Sequence, residues 1–172
     1  MNKMDFEIRN SVVSDAEQLI DHKLIVTREN PDTLATLIEN HYISINEQEE
    51  AITEVGPNDY KRVAVVDGKI VGIINMKQDL RKKFEHIAQF GISIQQDYAR
   101  MGIGSSLIKG AIEFAEENPL IEKIMLTVFS NNPGAIRLYE RFGFKEEARL
   151  TNQVKLKEGY TDLIYMTLWV NK

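Results

Sequence analysis

Two glycines stand close together in the segment QQDYARMGIGSSLI, which runs from Gln95 to Ile108. Gly102 and Gly104 directly precede apolar residues at helical spacing, although glycine weakens helices. The first N–H groups of a helix have no acceptor within the helix, and glycine lets another molecule approach the backbone closely. The segment therefore predicts a turn at the start of a helix where an anion such as a phosphate could bind.

Three kinds of turn could contain these two glycines. The first is a nucleotide-binding turn. A Rossmann dinucleotide site needs a third glycine at position 107, where the chain has Leu107, and a P-loop needs a Gly-Lys-Ser/Thr sequence that this turn lacks. The second kind is a tight turn that binds nothing. The third is a loop that holds the pyrophosphate of an acyl-coenzyme A, and the glycines alone do not choose between the last two.

A second pair of polar residues, Asn132 and Tyr139, lies seven positions apart. At about 100° per residue the two side chains fall on nearly the same face of a helix, two turns apart. The small residue Ala135 lies between them on that side. A slender molecule could lie along this face and contact an amide at one end and a phenol at the other. The alternative is that Tyr139 is a core aromatic residue of an amphipathic helix.

The elements that must position these residues follow from the apolar pattern. Helices are predicted around Ala16–Leu24 and Leu34–Tyr42, from the glycine turn to Ala115, and from Pro133 to Gly143, while 44–60 is ambiguous. Asp67 and Gly68 predict a tight hairpin. The predicted strands are Phe6–Arg9, Arg62–Val66, Ile70–Met76, Ile87–Ile94, Lys123–Phe129, Phe144–Ala148, Gln153–Leu156 and Tyr160–Trp169. This order predicts one α/β domain over residues 1–172, with a mixed central β-sheet flanked by α-helices.

Composition narrows the function further. The formal net charge of −5 disfavours a nucleic-acid partner, and no apolar run approaches the roughly 20 residues of a membrane span. Absence of cysteine excludes disulfides and thiolate chemistry, and we expect a cytoplasmic protein. Residues 28–60 hold eight acidic residues against Arg28 alone, which indicates either an ordinary solvated acidic face or a cleft that attracts cations.

Two further stretches decide how the glycine turn is interpreted. Ala99–Gly104 matches the pattern R/Q-x-x-G-x-G/A except at Ala99, and FGISI (Phe90–Ile94) precedes it as a strand. NNPGAIRLYERFGF (Asn131–Phe144) matches N-x-x-A-x-x-L-Y-x-x-x-G-F. Together and in this order, these motifs resemble those of the GNAT-type N-acetyltransferase superfamily. The resemblance extends over roughly Phe6 to Leu168 and is strongest between the two motifs.

The resemblance implies the GNAT fold, acetyl-CoA as a co-substrate, no metal, and transfer of the acetyl group to an amine. It implies that Asn132 hydrogen-bonds the pantetheine arm beside Ala135, and that Tyr139 protonates the leaving sulfur. A backbone N–H between Ile92 and Ile94 would bind the oxyanion. The residues implied to contact acetyl-CoA are Ile92, Ser93, Ile94, Arg100, Met101, Gly102, Ile103, Gly104, Ser105, Asn132 and Ala135.

The general base is where the sequence departs from this pattern. Many relatives place Glu on the fourth strand, whereas Gln89 stands at the matching position and cannot accept a proton at neutral pH. Glu85 and His86 lie nearby and could act through water, although residues of these types are more often surface residues. His22 and His41 fall in predicted helices, where a packing or solvated role is expected.

Three functions remain open at this point. The first is acetylation of a small-molecule amine, for which the acidic segment suggests a cation with more than one amino group. The second is acetylation of a protein N-terminus or lysine. The third is a binding module that senses acyl-CoA without turnover. The resemblance also implies a homodimer as a common state in the family.

Overall fold

The computed structural model describes residues 5–35 and 43–170 and contains one seven-stranded sheet with helices on both faces. The strands are β1 Glu7–Arg9, β2 Tyr60–Val66, β3 Lys69–Gln78, β4 Ile87–Ile94, β5 Lys123–Phe129, β6 Lys145–Leu156 and β7 Gly159–Trp169. The helices are α1 Ala16–Glu29, α2 Ile45–Thr53, α3 Ile103–Glu117 and α4 Pro133–Arg141. The predicted α/β class and mixed sheet are confirmed.

The structure differs from the predicted elements at α2 and at β6. The ambiguous stretch contains α2, which a capping box begins, since the Ser44 hydroxyl accepts from the Glu47 N–H and the Glu47 carboxylate accepts from the Ser44 N–H. The two predicted strands 144–148 and 153–156 form one strand, β6, whose register against β7 shifts twice. The helix predicted over Leu34–Tyr42 lies almost entirely outside the described residues.

The sheet runs in the order β1-β2-β3-β4-β5-β7-β6, and every neighbouring pair is antiparallel except β4 and β5. These two parallel strands pair only where Ile87–Gln89 meets Lys123–Met125. Beyond that point, Phe90–Ile94 stays paired with β3, and Leu126–Phe129 stays paired with β7. The sheet therefore opens between 90–94 and 126–129, and we call this opening the fork.

Each face of the sheet has its own apolar cluster. The larger cluster packs α3 and α4 against the sheet, and the smaller one packs α1 and α2 against the first strands. We call these the α3 face and the α1 face. α3 and α4 begin directly after β4 and β5, so both helix N-termini lie at the end of the sheet where the fork opens. In the described part of the chain, no helix is long and apolar enough to cross a membrane.

Candidate active site

The glycine turn leaves several backbone N–H groups without an acceptor. Arg100 and Gly102 have φ angles of +62° and +85°, and Gly102 is the N-cap of α3 with no side-chain cap. The first helical bond joins the Ser106 N–H to the Gly102 carbonyl at 3.0 Å. The N–H groups of Ile103, Gly104 and Ser105 therefore precede the helical ladder and form an anion-binding geometry at an exposed turn.

The two glycines of this turn have different structural roles. Gly102 is exposed, and its positive φ angle favours glycine. Gly104 is buried, and a Cβ there would lie 3.0 Å from Ile94 Cδ1 and 3.7 Å from Leu138 Cδ2. The sequence-based interpretation that Gly104 makes room for a phosphate is therefore wrong. Its missing side chain lets α3 approach β4 and α4.

The backbone of β4 presents alternate residues to the fork. The Gln95 N–H donates to the Val71 carbonyl of the β3 side at 2.9 Å, so the backbone groups of Ser93, two residues earlier, also face β3. Those of Ile92 and Ile94 point the other way, where no residue of β5 is paired with them. The implied oxyanion donor is thus restricted to Ile92 and Ile94, and the expectation for the Ser93 backbone is wrong.

α4 begins at the other side of the fork. Asn132 is its N-cap, and the Asn132 side-chain oxygen accepts a hydrogen bond from the Ala135 N–H at 3.3 Å. Pro133 occupies the first turn, as its position after Asn132 predicts. The Asn132 oxygen thus stabilises the helix, while its amide N–H₂ group remains as a donor.

Tyr139 lies in an aromatic cluster beside the fork. Its ring centroid is 6.0 Å from that of Phe90 and 6.2 Å from that of Phe144, and the residue is 8% exposed. Burial raises the pKa of Tyr139 to about 12. Among the described residues no group accepts a hydrogen bond from its hydroxyl. Tyr139 is therefore protonated at neutral pH, and its hydroxyl is free to donate to another molecule.

The expected bases at the start of β4 are badly placed. Glu85 pairs with Lys82 at 2.8 Å, and the His86 ring stacks on Trp169 at 6.3 Å. Both precede β4, and Ile92 lies more than five strand residues further on, about 16 Å or more away. These placements favour the surface role of Glu85 and His86 over action through a water molecule. His41 lies outside the described residues.

His22 is fully buried against β4, as its predicted packing role requires. Gln95 Nε2 donates to the Ile70 carbonyl at 3.1 Å and lies 3.2 Å from His22 Nδ1. Because an amide N–H₂ only donates, His22 Nδ1 accepts, and its Nε2–H donates to Ser93 Oγ at 3.0 Å. Burial and the charge of Lys23 lower the pKa of His22 to about 4, so His22 is neutral and orients the Ser93 hydroxyl.

A small pocket with a volume of about 70 Å³ lies on the α1 face between α1, α2, β2 and β3. Its charged lining residues are Lys23, Lys61 and Arg62, and no carboxylate of the described residues lines it. Two acidic residues of the segment 28–60 make other contacts: Glu29 accepts from the Gln96 N–H, and Asp59 accepts from two backbone N–H groups. The expectation of an acidic cleft is therefore wrong for this pocket.

Sequence reasoning missed the two lysines of this pocket. Leu19 and Lys23 are one helical turn apart, and Lys61 and Val63 are two residues apart on β2. Each lysine therefore lies on the same face of its element as a core residue. That patterning is the signal that could have found them. In the described part of the chain, no group of three or more His, Asp or Glu residues could hold a metal.

An uncapped helix start, unpaired strand amides and a buried phenol converge at the fork, which is the arrangement of an acyltransferase that uses an acyl-coenzyme A. Residues 27–144 match the family model described as the acetyltransferase (GNAT) family, which confirms the resemblance seen in the motifs. The chain belongs to this family and is an acetyl-CoA-dependent N-acetyltransferase.

Named relatives and a solved structure agree with this assignment. The chain is 32% identical to the Escherichia coli L-amino acid N-acetyltransferase AaaT over 60% of this chain and 64% of that protein. It is 31% identical to the Sulfurisphaera tokodaii N-alpha-acetyltransferase over 83% of this chain and 81% of that protein. A crystal structure of a GNAT-family acetyltransferase from Streptococcus pneumoniae has a TM-score of 0.91 at 28% identity, covering 97% of this chain and 100% of that chain.

We predict that Gly104→Val lowers the free energy of unfolding by about 1–3 kcal/mol, because the added methyl groups overpack the contact with Ile94. Gly134→Val is the matched control, since Gly134 holds the same second position in α4 and has nothing within 4 Å of an added Cβ. Urea unfolding without ligand measures both. Equal stability losses in the two variants would contradict the packing role.

We also predict a pH-dependent stability from His22. Its pKa is about 4 in the folded protein and about 6.5 in the unfolded chain, so between these values the unfolded state binds more protons. As the pH falls from about 6.5 to 4, the protein should lose up to about 1.4 kcal/mol per pH unit that His22→Gln does not lose. Parallel curves of unfolding free energy against pH for the two proteins would show that His22 protonates equally in both states.

Proposed function

We propose that the protein transfers the acetyl group of acetyl-CoA directly to a primary amine of a small molecule at the fork. The observation that carries the proposal is the pair of strand residues, Ile92 and Ile94, whose backbone groups face an opening instead of a neighbouring strand. Buried backbone groups need partners, and an extended acyl-pantetheine chain presents amides that could pair with them as a strand would.

The glycine turn would hold the pyrophosphate of the donor. Arg100, Met101, Gly102, Ile103, Gly104 and Ser105 supply the exposed turn and the first N–H groups of α3. Arg100 adds a positive charge beside them, which offsets the loss of a side-chain contact at Ala99. On the opposite side of the fork, the Asn132 amide would donate to the pantetheine arm, and the small Ala135 leaves space for it.

The chemistry that follows is an attack of the amine nitrogen on the thioester carbonyl carbon. The carbonyl oxygen gains negative charge, which the Ile92 N–H stabilises from a fixed position on β4. When the carbon–sulfur bond breaks, its electron pair goes to sulfur, and Tyr139 donates its hydroxyl proton to that sulfur. Solvent returns the proton to Tyr139, whose high pKa keeps the resting hydroxyl protonated.

The amine must reach this centre in its neutral form. Gln89 is the last residue of β4 that is paired with β5, is exposed, and has a neutral amide. It can accept a hydrogen bond from the amine or from a water, but it cannot take the proton. After the attack the amine nitrogen is positively charged, and it loses one proton to water to give the neutral amide.

A small acceptor is favoured over a protein by the partly open pocket on the α1 face, whose volume of about 70 Å³ admits one small polar group and not a folded chain. The direct experiment supplies acetyl-CoA with amines and with unstructured peptides, and follows release of the CoA thiol and mass of the acceptor. Acetylated small amines support the proposal. Acetylated peptides alone would move the function to protein acetylation.

Ser105→Asp should weaken binding of CoA without weakening the fold. A carboxylate in the first turn of α3 repels the pyrophosphate, although the helix N-terminus itself favours acidic residues. We expect Kd for CoA to rise at least about tenfold by calorimetry, with an unchanged or higher Tm. Asn46→Asp adds the same charge to the first turn of α2 and should leave Kd unaltered. Unchanged affinity in Ser105→Asp would remove the glycine turn from the donor site.

Tyr139→Phe deletes one hydroxyl and keeps the ring packing. If Tyr139 protonates the leaving sulfur, kcat should fall by about 10²–10⁴-fold while Kd for CoA stays the same. Tyr60→Phe is the control, because Tyr60 is also a buried tyrosine with a raised pKa but packs against Phe114, away from the fork. A Tyr139→Phe enzyme with the kcat of the wild type would leave Tyr139 as a packing residue.

A further inference from the structure

Two lysines meet in the pocket on the α1 face. Lys23 reaches it from α1, where its Nζ donates to Gln48 Oε1 at 2.6 Å. Lys61 reaches it from β2, where its Nζ donates to the Ala51 carbonyl at 3.0 Å. Both side chains are half-buried. Arg62 also lines the pocket, but its guanidinium lies 4.3 Å from the centre of the Tyr60 ring.

Neither lysine has an anionic partner in the part of the chain that the structure describes. Within the described residues, no carboxylate forms an ion pair with Lys23 or Lys61, and their hydrogen bonds go to neutral oxygens. Burial and the charge of Lys61 lower the pKa of Lys23, and burial and Lys77 lower the pKa of Lys61. Asp59 and Glu54 offset only part of this repulsion on Lys61. Two half-buried positive charges without a counter-ion make this pocket suited to an anion.

The register of the sheet relates the pocket to the exposed part of β4. Lys61 lies opposite Asn75 on β3, and Asn75 lies opposite Gly91 on β4, so the three residues form one row across the sheet. Gly91 is exposed, with nothing within 4 Å of an added Cβ, and immediately precedes Ile92 at the fork. Two strand spacings separate Lys61 from Gly91, roughly 10 Å, and the lysine side chains shorten that span.

We propose that the pocket binds the anionic group of the acceptor, so that the acceptor is an amine that also carries a carboxylate or phosphate about 5–10 Å from its nitrogen. This inference rests on the proposed acetyl transfer at the fork. With the anion held by Lys23 and Lys61, the amine end extends over Asn75 and Gly91 to the thioester. Asn75 is exposed between the two ends and can hydrogen-bond the connecting chain.

The test compares linear ω-amino acids of increasing length with their primary amides and with diamines of the same length. We expect kcat/KM for the carboxylate-bearing amines to exceed that for the amides about tenfold or more and to peak at an intermediate length. Lys61→Gln and Lys23→Gln should each raise KM for the preferred amino acid about 10–100-fold. KM for its amide and KM for acetyl-CoA should not change.

Lys82→Gln is the control, because Lys82 is an exposed lysine in the connection between β3 and β4, outside the pocket and at the end of β4 away from the fork. It should leave every constant unchanged. The carboxylic acid that lacks the amine should inhibit competitively against the amino acid, and its inhibition constant should rise in Lys61→Gln. Tm is measured for each variant as well, because both lysines also hydrogen-bond residues of α2, so that a folding defect is distinguished from a binding defect.

Each outcome separates the inference from the function on which it rests. If no amine is acetylated by the wild type, the proposed acetyl transfer itself fails. If amines are acetylated but acids and amides react equally, or diamines react best, the anion pocket is overturned and the transfer stands. Lysine variants with wild-type KM for the amino acid would overturn it as well.

Discussion

The parting of β4 from β5 is the constraint on which the site depends. Two parallel strands pair at only three positions and then diverge, while each stays hydrogen-bonded to its other neighbour, β3 or β7. A strand amide that lacks a partner costs free energy unless water or a ligand satisfies it. The sheet thus keeps Ile92 and Ile94 on a rigid element with unused hydrogen-bonding capacity, which is what a preorganised binding site requires.

The fork also divides the molecule into two working faces. On the α3 face, the N-termini of α3 and α4 and the aromatic ring of Tyr139 meet the opening. On the α1 face, the backbone at Gly91 is not covered by a side chain, and the pocket that contains Lys23 lies on the same face. A donor that enters from one face and an acceptor that enters from the other would meet at Ile92 without competing for space. Buried His22 packs against β4 on this face and orients the Ser93 hydroxyl through a hydrogen bond.

Local chemistry made much of the fold and part of the site predictable. Asp67 and Gly68 both have positive φ angles, as the hairpin prediction requires, and the Asn131–Phe144 motif forms the capped helix that it predicts. Ser44 and Glu47 carried a capping-box signal for α2, but the stretch is acidic with few apolar residues, so it stayed ambiguous. Tertiary contacts fixed the rest. Sequence spacing does not say that one glycine of the turn faces Ile94, or which neighbour a strand amide faces.

Amide hydrogen exchange of β4, measured by NMR with and without saturating acetyl-CoA, tests the fork most directly. The account predicts that the amides of Ile92 and Ile94 exchange fast in the free protein and slow markedly when the donor binds. Ser93, whose N–H already faces β3, serves as the internal reference and should be protected in both states. Equal protection of Ile92, Ser93 and Ile94 in the free protein, or no change relative to Ser93 on binding, would contradict the assignment of the fork as the acetyl-CoA site.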